Sequence, residues 1–217
     1  MRYFLIFFSL GLIMLIIGCT PGTKDSDNQQ QKSADTVRVS YINQNDSKGK
    51  ELKKRGAIIA KLSTIAIGEA LNKVINEEGA ERAIGFCNLQ AMKITDSLAK
   101  VEGVIIRRIA KKNRNPLNKT NAVESKIFKQ YIMEWLANKT LRPKLSIDEN
   151  DHPVYYKPII TNNKCLQCHG KPGETMPQNI ADKIAKLYPN DKAINFEVGH
   201  PRGMWAITFP DIIASKN

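Results

Sequence analysis

Five consecutive residues, Cys165-Leu166-Gln167-Cys168-His169, restrict the possible folds of this chain more than any other part of its sequence. They form the C-x-x-C-H pattern by which c-type haem is attached to proteins. Two residues between the cysteines let both thiols reach the two vinyl groups on one edge of a porphyrin, and the adjacent imidazole can bind the iron through Nε2. The pattern therefore predicts one covalent haem c, attached to Cys165 and Cys168 and ligated by His169.

Other interpretations of these two cysteines stay open. A zinc site needs a second pair of ligands, and only His152, His200 and Cys87 are left to supply one. A thioredoxin-like redox pair expects a βαβ context and no following histidine. A structural disulfide requires an oxidising compartment. A non-haem metal or disulfide domain is therefore the alternative to haem c.

The N-terminus indicates export. Arg2 precedes an apolar run from Tyr3 to Ile17, and Gly18 and Cys19 follow. This order is typical of a secretory signal, and the run is shorter than the roughly 20 residues of a spanning helix. Cysteine after a small residue resembles the bacterial lipobox, so we predict a signal peptide over residues 1–18 and lipid attachment at Cys19. A plain transmembrane anchor is the alternative, and both place the protein on the periplasmic side of a bacterial membrane.

Residues 19–50 are predicted to form a flexible tether, because polar residues predominate and few could enter a core. Val37, Val39 and Tyr41 alternate as a short edge strand would. Residues 51–217 suit one domain.

The net charge is +12, but the basic residues are scattered and exported proteins rarely meet nucleic acid, so no nucleic-acid partner is predicted. A basic surface instead favours anionic headgroups or an acidic protein partner.

Apolar periodicity and turn residues predict helices followed by antiparallel strands, which is an α+β fold. Asn121 and Glu124 are spaced as a capping box that opens a helix. The predicted elements are helices at Lys50–Glu78, about Ala80–Lys100, from Asn121 and at Asn179–Leu187, and strands at Val104–Ile109, Leu145–Ile147, Val154–Ile160 and Met204–Phe209.

The ligand opposite His169 is left open by the residues alone. The candidates are Cys87, His152, His200 and the methionines, notably Met176 and Met204, and the alternative is that no sixth ligand exists. Cys87 lies in the apolar stripe of the second predicted helix and faces the interior, although a buried free cysteine also behaves as a small hydrophobe. An unpaired thiol in an exported protein is a liability that ligation would explain.

Haem propionates need cationic partners when they are partly buried, and arginine offers a bidentate fork for a carboxylate. The basic residues that we consider for this role are Arg107, Arg108, Lys112, Arg114 and Arg202.

Several short motifs occur in one order along the chain. They are "AIGFCN" at Ala83–Asn88, Arg107-Arg108 with Arg114-Asn115-Pro116, Tyr155-Tyr156-Lys157-Pro158-Ile159 before "CLQCHG", Tyr188-Pro189 with Asp191 and Ala193, and Gly199 with Arg202-Gly203. Over roughly Arg55 to Phe209 the sequence resembles the bacterial PAS-like c-type haem domains, formerly catalogued as a domain of unknown function. These domains occur alone in the periplasm or as sensor domains of membrane histidine kinases.

The resemblance implies a PAS-like antiparallel sheet with flanking helices and a long N-terminal helix. It also implies haem ligation by His169 and by a cysteine at the position of Cys87, and Tyr156 is taken as a further haem contact. The sequence departs from the family at Asn195, where glycine is common, and at His200, where an acidic residue is common. His200 is therefore the alternative sixth ligand.

A thiolate is an anionic donor that stabilises ferric haem, which suits a redox or diatomic-gas sensor module better than a high-potential relay. A periplasmic electron-transfer cytochrome is the alternative function, and the positive charge would suit docking on an acidic redox or signalling partner. No nucleophile–base pair, paired acid site or phosphate loop is present, so no enzyme activity is predicted beyond a minor peroxidase-like or nitrite-reducing one. PAS-like domains often pair through N-terminal helices, so a homodimer through Lys50–Glu78 is also an expectation.

Overall fold

The computed structural model describes residue 43 and residues 45–214, without the side chains of residues 87–89. The predicted signal peptide, the lipid attachment at Cys19, the edge strand from Val37 to Tyr41 and most of the tether lie outside the described residues. Within the part that is described, no helix is both long enough and apolar enough to span a bilayer.

The described residues form six α-helices and four strands, joined with a short 3₁₀ helix at Pro116–Asn118. In chain order they are α1 (Ser47–Glu78), α2 (Ala80–Leu89), α3 (Ala91–Glu102), β1 (Ile105–Ile109), α4 (Ala122–Leu136), β2 (Lys144–Ile147), β3 (Pro153–Ile160), α5 (Asn163–His169), α6 (Gln178–Leu187) and β4 (Pro201–Thr208). The sheet order is β1-β4-β3-β2, and every neighbouring pair is antiparallel. The predicted α+β class and PAS-like sheet with a long N-terminal helix are confirmed.

Helix α1 packs along one face of the sheet. Asp46 begins it by accepting a hydrogen bond from the Gly49 backbone, which satisfies a free donor of the first turn. Its buried side chains meet strand residues in one core cluster, and the main members are Leu52, Ile59, Ile67, Leu145, Tyr155, Trp205 and Ile207. The helix approaches so closely that a Cβ on Gly56 would overlap the ring of Tyr155. The glycine is therefore required by packing.

Helix α4 covers the other face. The predicted capping box is present, since Asn121 accepts from the Glu124 backbone and the Glu124 carboxylate accepts from the Asn121 backbone. Residues of α4 and the strands form the second core cluster, which includes Ile127, Phe128, Tyr131, Val154, Tyr156 and Met204. Tyr155 and Tyr156 thus point to opposite faces, because side chains alternate along a strand.

The prediction of one helix over Ala80–Lys100 was wrong, because the chain forms α2 and α3 with a break at Gln90. The two helices pack on different neighbours. Ile84 of α2 lies against α6, whereas Ala91 and Leu98 of α3 lie against the α1 cluster. The apolar periodicity of the sequence continues through Gln90. It therefore gave no indication that α2 and α3 would pack on different neighbours.

Candidate cofactor site

The C-x-x-C-H motif forms a helix of its own, α5, which sequence periodicity did not predict. Asn162 caps it by accepting from the Cys165 backbone N–H. Leu166 is buried against Ala193 and Phe196 and fixes the helix on the loop before β4. Cys165 and Cys168 lie one turn apart, so they share a face of the helix. Both are half-buried, and no disulfide joins them.

His169 ends α5, and its ring is oriented by the protein backbone. Its Nδ1 lies 2.7 Å from the Ala193 carbonyl oxygen. Since a carbonyl oxygen only accepts, Nδ1 carries the proton and Nε2 keeps a lone pair, as metal-binding histidines require. The pKa of His169 is lowered well below its ordinary value, first by burial and then by the charges of Arg202 and Arg114. The imidazole is therefore neutral and its Nε2 is available to a metal.

The loop before β4 runs alongside the end of α5. The backbone N–H groups of Asn195 and Phe196 donate to the carbonyls of Gly170 and His169, each at 2.9 Å. A Cβ at Gly170 would overlap Thr175 Oγ1 and the Leu166 carbonyl, so this position admits only glycine. These contacts hold the backbone that directly follows the Cα of His169.

Arg114 ties three segments together at this point. Its Nε donates to Asp191 Oδ2 at 3.1 Å, and its terminal nitrogen donates to the carbonyls of Cys168 at 2.6 Å and Ala193 at 3.3 Å. The side chains of Arg114 and Asp191 are only 10% and 6% exposed. The described contacts of Arg114 are thus with the protein, and it shares the Ala193 carbonyl with His169. We infer a positioning role for an arginine that was predicted as a propionate partner.

Arg202 and Lys112 enclose Phe196. Lys112 Nζ lies 4.6 Å and the Arg202 guanidinium carbon 5.2 Å from the ring centroid of Phe196. Arg202 also donates to the Lys112 carbonyl at 2.9 Å. Burial, followed by the charges of Arg108 and Arg114, lowers the pKa of Arg202 to about 9. Positive charges therefore predominate around Arg202 and Phe196.

Arg108 lies within electrostatic reach of this cluster, since its charge lowers the pKa of both His169 and Arg202. Among the described residues its guanidinium has no hydrogen-bond or ion-pair partner. Arg107 points to the other face of β1, where it pairs with Glu124 and donates to the Lys119 carbonyl at 3.2 Å. Because side chains alternate along a strand, Arg107 and Arg108 point to opposite faces of the sheet.

Tyr156 was predicted as a haem contact, but its described contacts lie in the core under α4. Its carbonyl accepts from Tyr131 at 3.1 Å, and burial raises the pKa of its phenol. Neither Tyr156 nor Arg107 has a described contact with His169 or with the loop that holds it. The structure therefore does not bring these two predicted residues to the motif.

Cys87 lies in α2, and its side chain is outside the described residues. Three residues earlier, Ile84 is buried with Met176 and Tyr188 against α6, and Cys168 packs at the edge of the same cluster. The helix that carries Cys87 therefore packs beside the motif.

The remaining candidate ligands lie at different places. His152 pairs with Asp148 in the turn between β2 and β3. The ring of His200 contacts Trp135 edge-on at 4.8 Å between centroids, and its Nε2 is 3.7 Å from Glu197. Met204 is buried under α4, whereas Met176 is buried beside Cys168. Among the described side chains, no group of three or more His, Cys, Asp or Glu could hold a metal ion.

Sequence reasoning from spacing missed the groups that orient His169, which are Asp191, Phe196 and the Ala193 carbonyl. Asp191 and Ala193 were visible only as members of a shared motif. A backbone acceptor leaves no signal in residue type, so its role became clear only from the geometry.

The fold and the site together define a class of protein. It is a PAS-like α+β domain whose C-x-x-C-H motif lies on a helix at one end of the sheet. The chain belongs to the Tll0287-like family, whose profile matches residues 25–210. The crystal structure of the cyanobacterial haem protein Tll0287 is similar, with a TM-score of 0.54 and 22% identity over 79% of this chain and 99% of that one. At this identity the similarity shows the fold. No curated protein sequence matches the chain.

Proposed function

We propose that this chain is an exported, membrane-anchored protein that binds one covalent haem c and acts as a redox or diatomic-gas sensor module. The observation that carries the proposal is the hydrogen bond from His169 Nδ1 to the Ala193 carbonyl, 2.7 Å long. It presents Nε2 as a ligand directly beside two cysteines that share one face of α5. The similar cyanobacterial protein Tll0287 is a haem protein, which supports the same cofactor here.

The donor set fits this cofactor. Cys165 and Cys168 would form the thioether bonds, His169 would bind from one side, and Cys87 is the proposed ligand on the other. The guanidinium of Arg108, which has no hydrogen-bond or ion-pair partner among the described residues, would supply a cation for a propionate. A bound haem would supply a one-electron iron couple and a place where a diatomic gas can bind.

The chain's own residues keep this site ordered. Arg114 holds the carbonyls of Cys168 and Ala193, so it maintains the acceptor that orients His169. Phe196 contacts the imidazole edge-on, with 6.4 Å between ring centroids, and excludes water from that side. The proposed anchor at Cys19 and the proposed tether would keep the domain near the periplasmic surface of the membrane.

The test begins with the full chain matured in cells that carry a haem-attachment system. We expect a pyridine haemochrome spectrum of c-type and one haem per chain, and loss of covalent haem when Cys165 and Cys168 are both changed to Ala. A wild-type protein that matures without haem would support the non-haem metal or disulfide alternative instead.

The same protein tests the axial ligand. Cys87→Ser should change the ferric absorption and EPR spectra, because a thiolate donor is replaced by a hydroxyl. His200→Ala is the matched comparison and should leave both spectra unchanged, since His200 contacts Trp135 and Glu197. Unchanged spectra in Cys87→Ser would remove both the ligand assignment and the sensor argument that rests on it.

Electron transfer is the second candidate, and the net charge of +12 favours it because a basic surface suits an acidic redox partner. Potentiometry separates the two functions. A reversible couple with no change of ligand supports electron transfer, whereas spectra that show a ligand change on reduction support a sensor.

A further inference from the structure

A small cavity of about 160 Å³ lies between α4 and the start of β4. Its walls are mainly aromatic and aliphatic. The principal lining residues are Phe128, Ile132, Trp135, Phe196, His200 and Arg202. The volume is close to that of an engineered apolar cavity that accepts benzene, about 150 Å³. The space therefore suits one small ring or branched aliphatic group.

The cavity is separate from the C-x-x-C-H motif. Cys165, Cys168 and His169 do not line it. Phe196 forms the partition, since it contacts the His169 ring on one side and lines the cavity on another. An occupant of the cavity would therefore be a second ligand, distinct from a cofactor attached to α5.

The charged groups of the cavity are positive. Lys112 and Arg202 line it, and no carboxylate does so among the described residues. Glu197, on the neighbouring loop, is engaged by His200 at 3.7 Å and by Lys171 at 3.5 Å. The described walls thus carry cations and no carboxylate, and Asp191, whose charge acts on both Lys112 and Arg202, does not line the cavity.

Arg202 carries the more specific signal. Its Nε is fully buried, and it is the one such side-chain nitrogen or oxygen without a hydrogen-bond partner among the described residues. Buried polar groups are nearly always paired, so an orphaned guanidinium nitrogen indicates a missing acceptor. A carboxylate is the natural partner, because the arginine fork matches its two oxygens.

We infer that this cavity binds a small monocarboxylate with an aromatic or branched apolar body. The carboxylate accepts from Arg202, and the apolar body packs against Phe128, Trp135 and Phe196. This site goes beyond the proposed haem function, because Cys165, Cys168 and His169 do not line it and Phe196 lies between it and the His169 ring.

Calorimetric titration of the full chain with benzoate and with benzyl alcohol tests the inference. We expect one benzoate per chain, bound at least about 10-fold more tightly than the neutral alcohol, because a hydrogen bond between charged groups is stronger than one to a hydroxyl. Failure of benzoate to bind at millimolar concentration, or equal binding of the two compounds, would overturn the inference.

Two variants localise the binding. Ile132→Trp fills the cavity and should abolish benzoate binding, whereas Met133→Trp on the exposed side of the same helix should leave it unchanged. Arg202→Gln keeps the cavity and should remove the preference for benzoate over the alcohol, which tests the site even where Ile132→Trp does not fold. Benzoate binding that persists in a folded Ile132→Trp protein places the ligand elsewhere and contradicts the inference.

Discussion

The packing of α1 on the sheet and the loops around His169 are stabilised by different interactions. Ile59, Tyr155 and Ile207 are at most 1% exposed and meet through apolar contact. Around His169, the contacts are hydrogen bonds from arginine and imidazole to backbone carbonyls. Apolar burial is non-directional, whereas a hydrogen bond weakens steeply with misalignment.

The difference explains how one small domain can separate stability from function. The sheet core can exchange one apolar side chain for another of similar volume with a small cost. The loops around His169 allow no such exchange, because Arg114 serves Asp191 and two carbonyls at once. Orientation of the imidazole therefore depends on few atoms, and substitutions in the two regions should have different consequences.

The largest effect is expected from Asp191→Asn. The substitution leaves the nearly buried guanidinium of Arg114 without its anion, near the further charges of Arg108 and Arg202. Removing one partner of a buried ion pair typically costs roughly 3–5 kcal/mol. We expect a loss of that size in the free energy of unfolding, measured by urea denaturation.

Arg107→Gln is the matched comparison, because it breaks an arginine–carboxylate pair on the other face of β1. Arg107 is 39% exposed and Glu124 only 6%, so solvent screens this pair in part and the loss should be smaller than in Asp191→Asn. Equal losses in the two variants would contradict the distinction between the two regions.

A smaller effect is expected where α1 crosses the sheet. In Gly56→Ala the added methyl group meets the Cβ and inner ring atoms of Tyr155, which have little freedom to move. Overpacking of this kind costs about 1–3 kcal/mol. We expect thermal and urea unfolding to show this loss, with no change in the absorption spectrum of bound haem.

Gly68→Ala lies in the same helix and provides the control. Apart from the adjoining backbone of its own helix, no described atom lies within 4 Å of the position that its Cβ would occupy, so the better helix propensity of alanine should stabilise the protein by about 0.5–1 kcal/mol. Two glycine substitutions in one helix should thus have opposite signs. A stabilised Gly56→Ala protein would show that α1 does not approach the sheet as closely as described.

The fold was largely predictable because its elements depend on local patterns. The capping box at Asn121 and Glu124 and the short β-like run Val154–Ile160 indicate the same elements that the structure contains. The break at Gln90 was not predictable, because it results from α2 and α3 packing on different neighbours. Such a cause lies in tertiary contacts and not in the local sequence.

The sequence predicted the chemical groups of the site but not their arrangement. The C-x-x-C-H motif identified the candidate ligand His169, but two adjacent arginines looked equivalent in the sequence. Strand alternation sends Arg107 to Glu124 and leaves Arg108 within electrostatic reach of His169. The strand was predicted, yet the face that each arginine would occupy depended on packing partners far along the chain.

The smallest effect is expected from Glu124→Gln, which tests the charge of the carboxylate under α4. Burial raises the pKa of Glu124 above its ordinary 4.5 and outweighs the lowering effects of the Asn121 backbone and Arg107. Because the folded pKa exceeds the unfolded one, this group's contribution is complete below the unfolded pKa and is lost as the pH rises through the folded pKa. Glutamine also suits the capping box, so the cost should stay below about 1 kcal/mol. In urea denaturation from pH 4 upward, wild type should lose stability relative to Glu124→Gln, and a gain would mean that attraction to Arg107 exceeds the cost of burial.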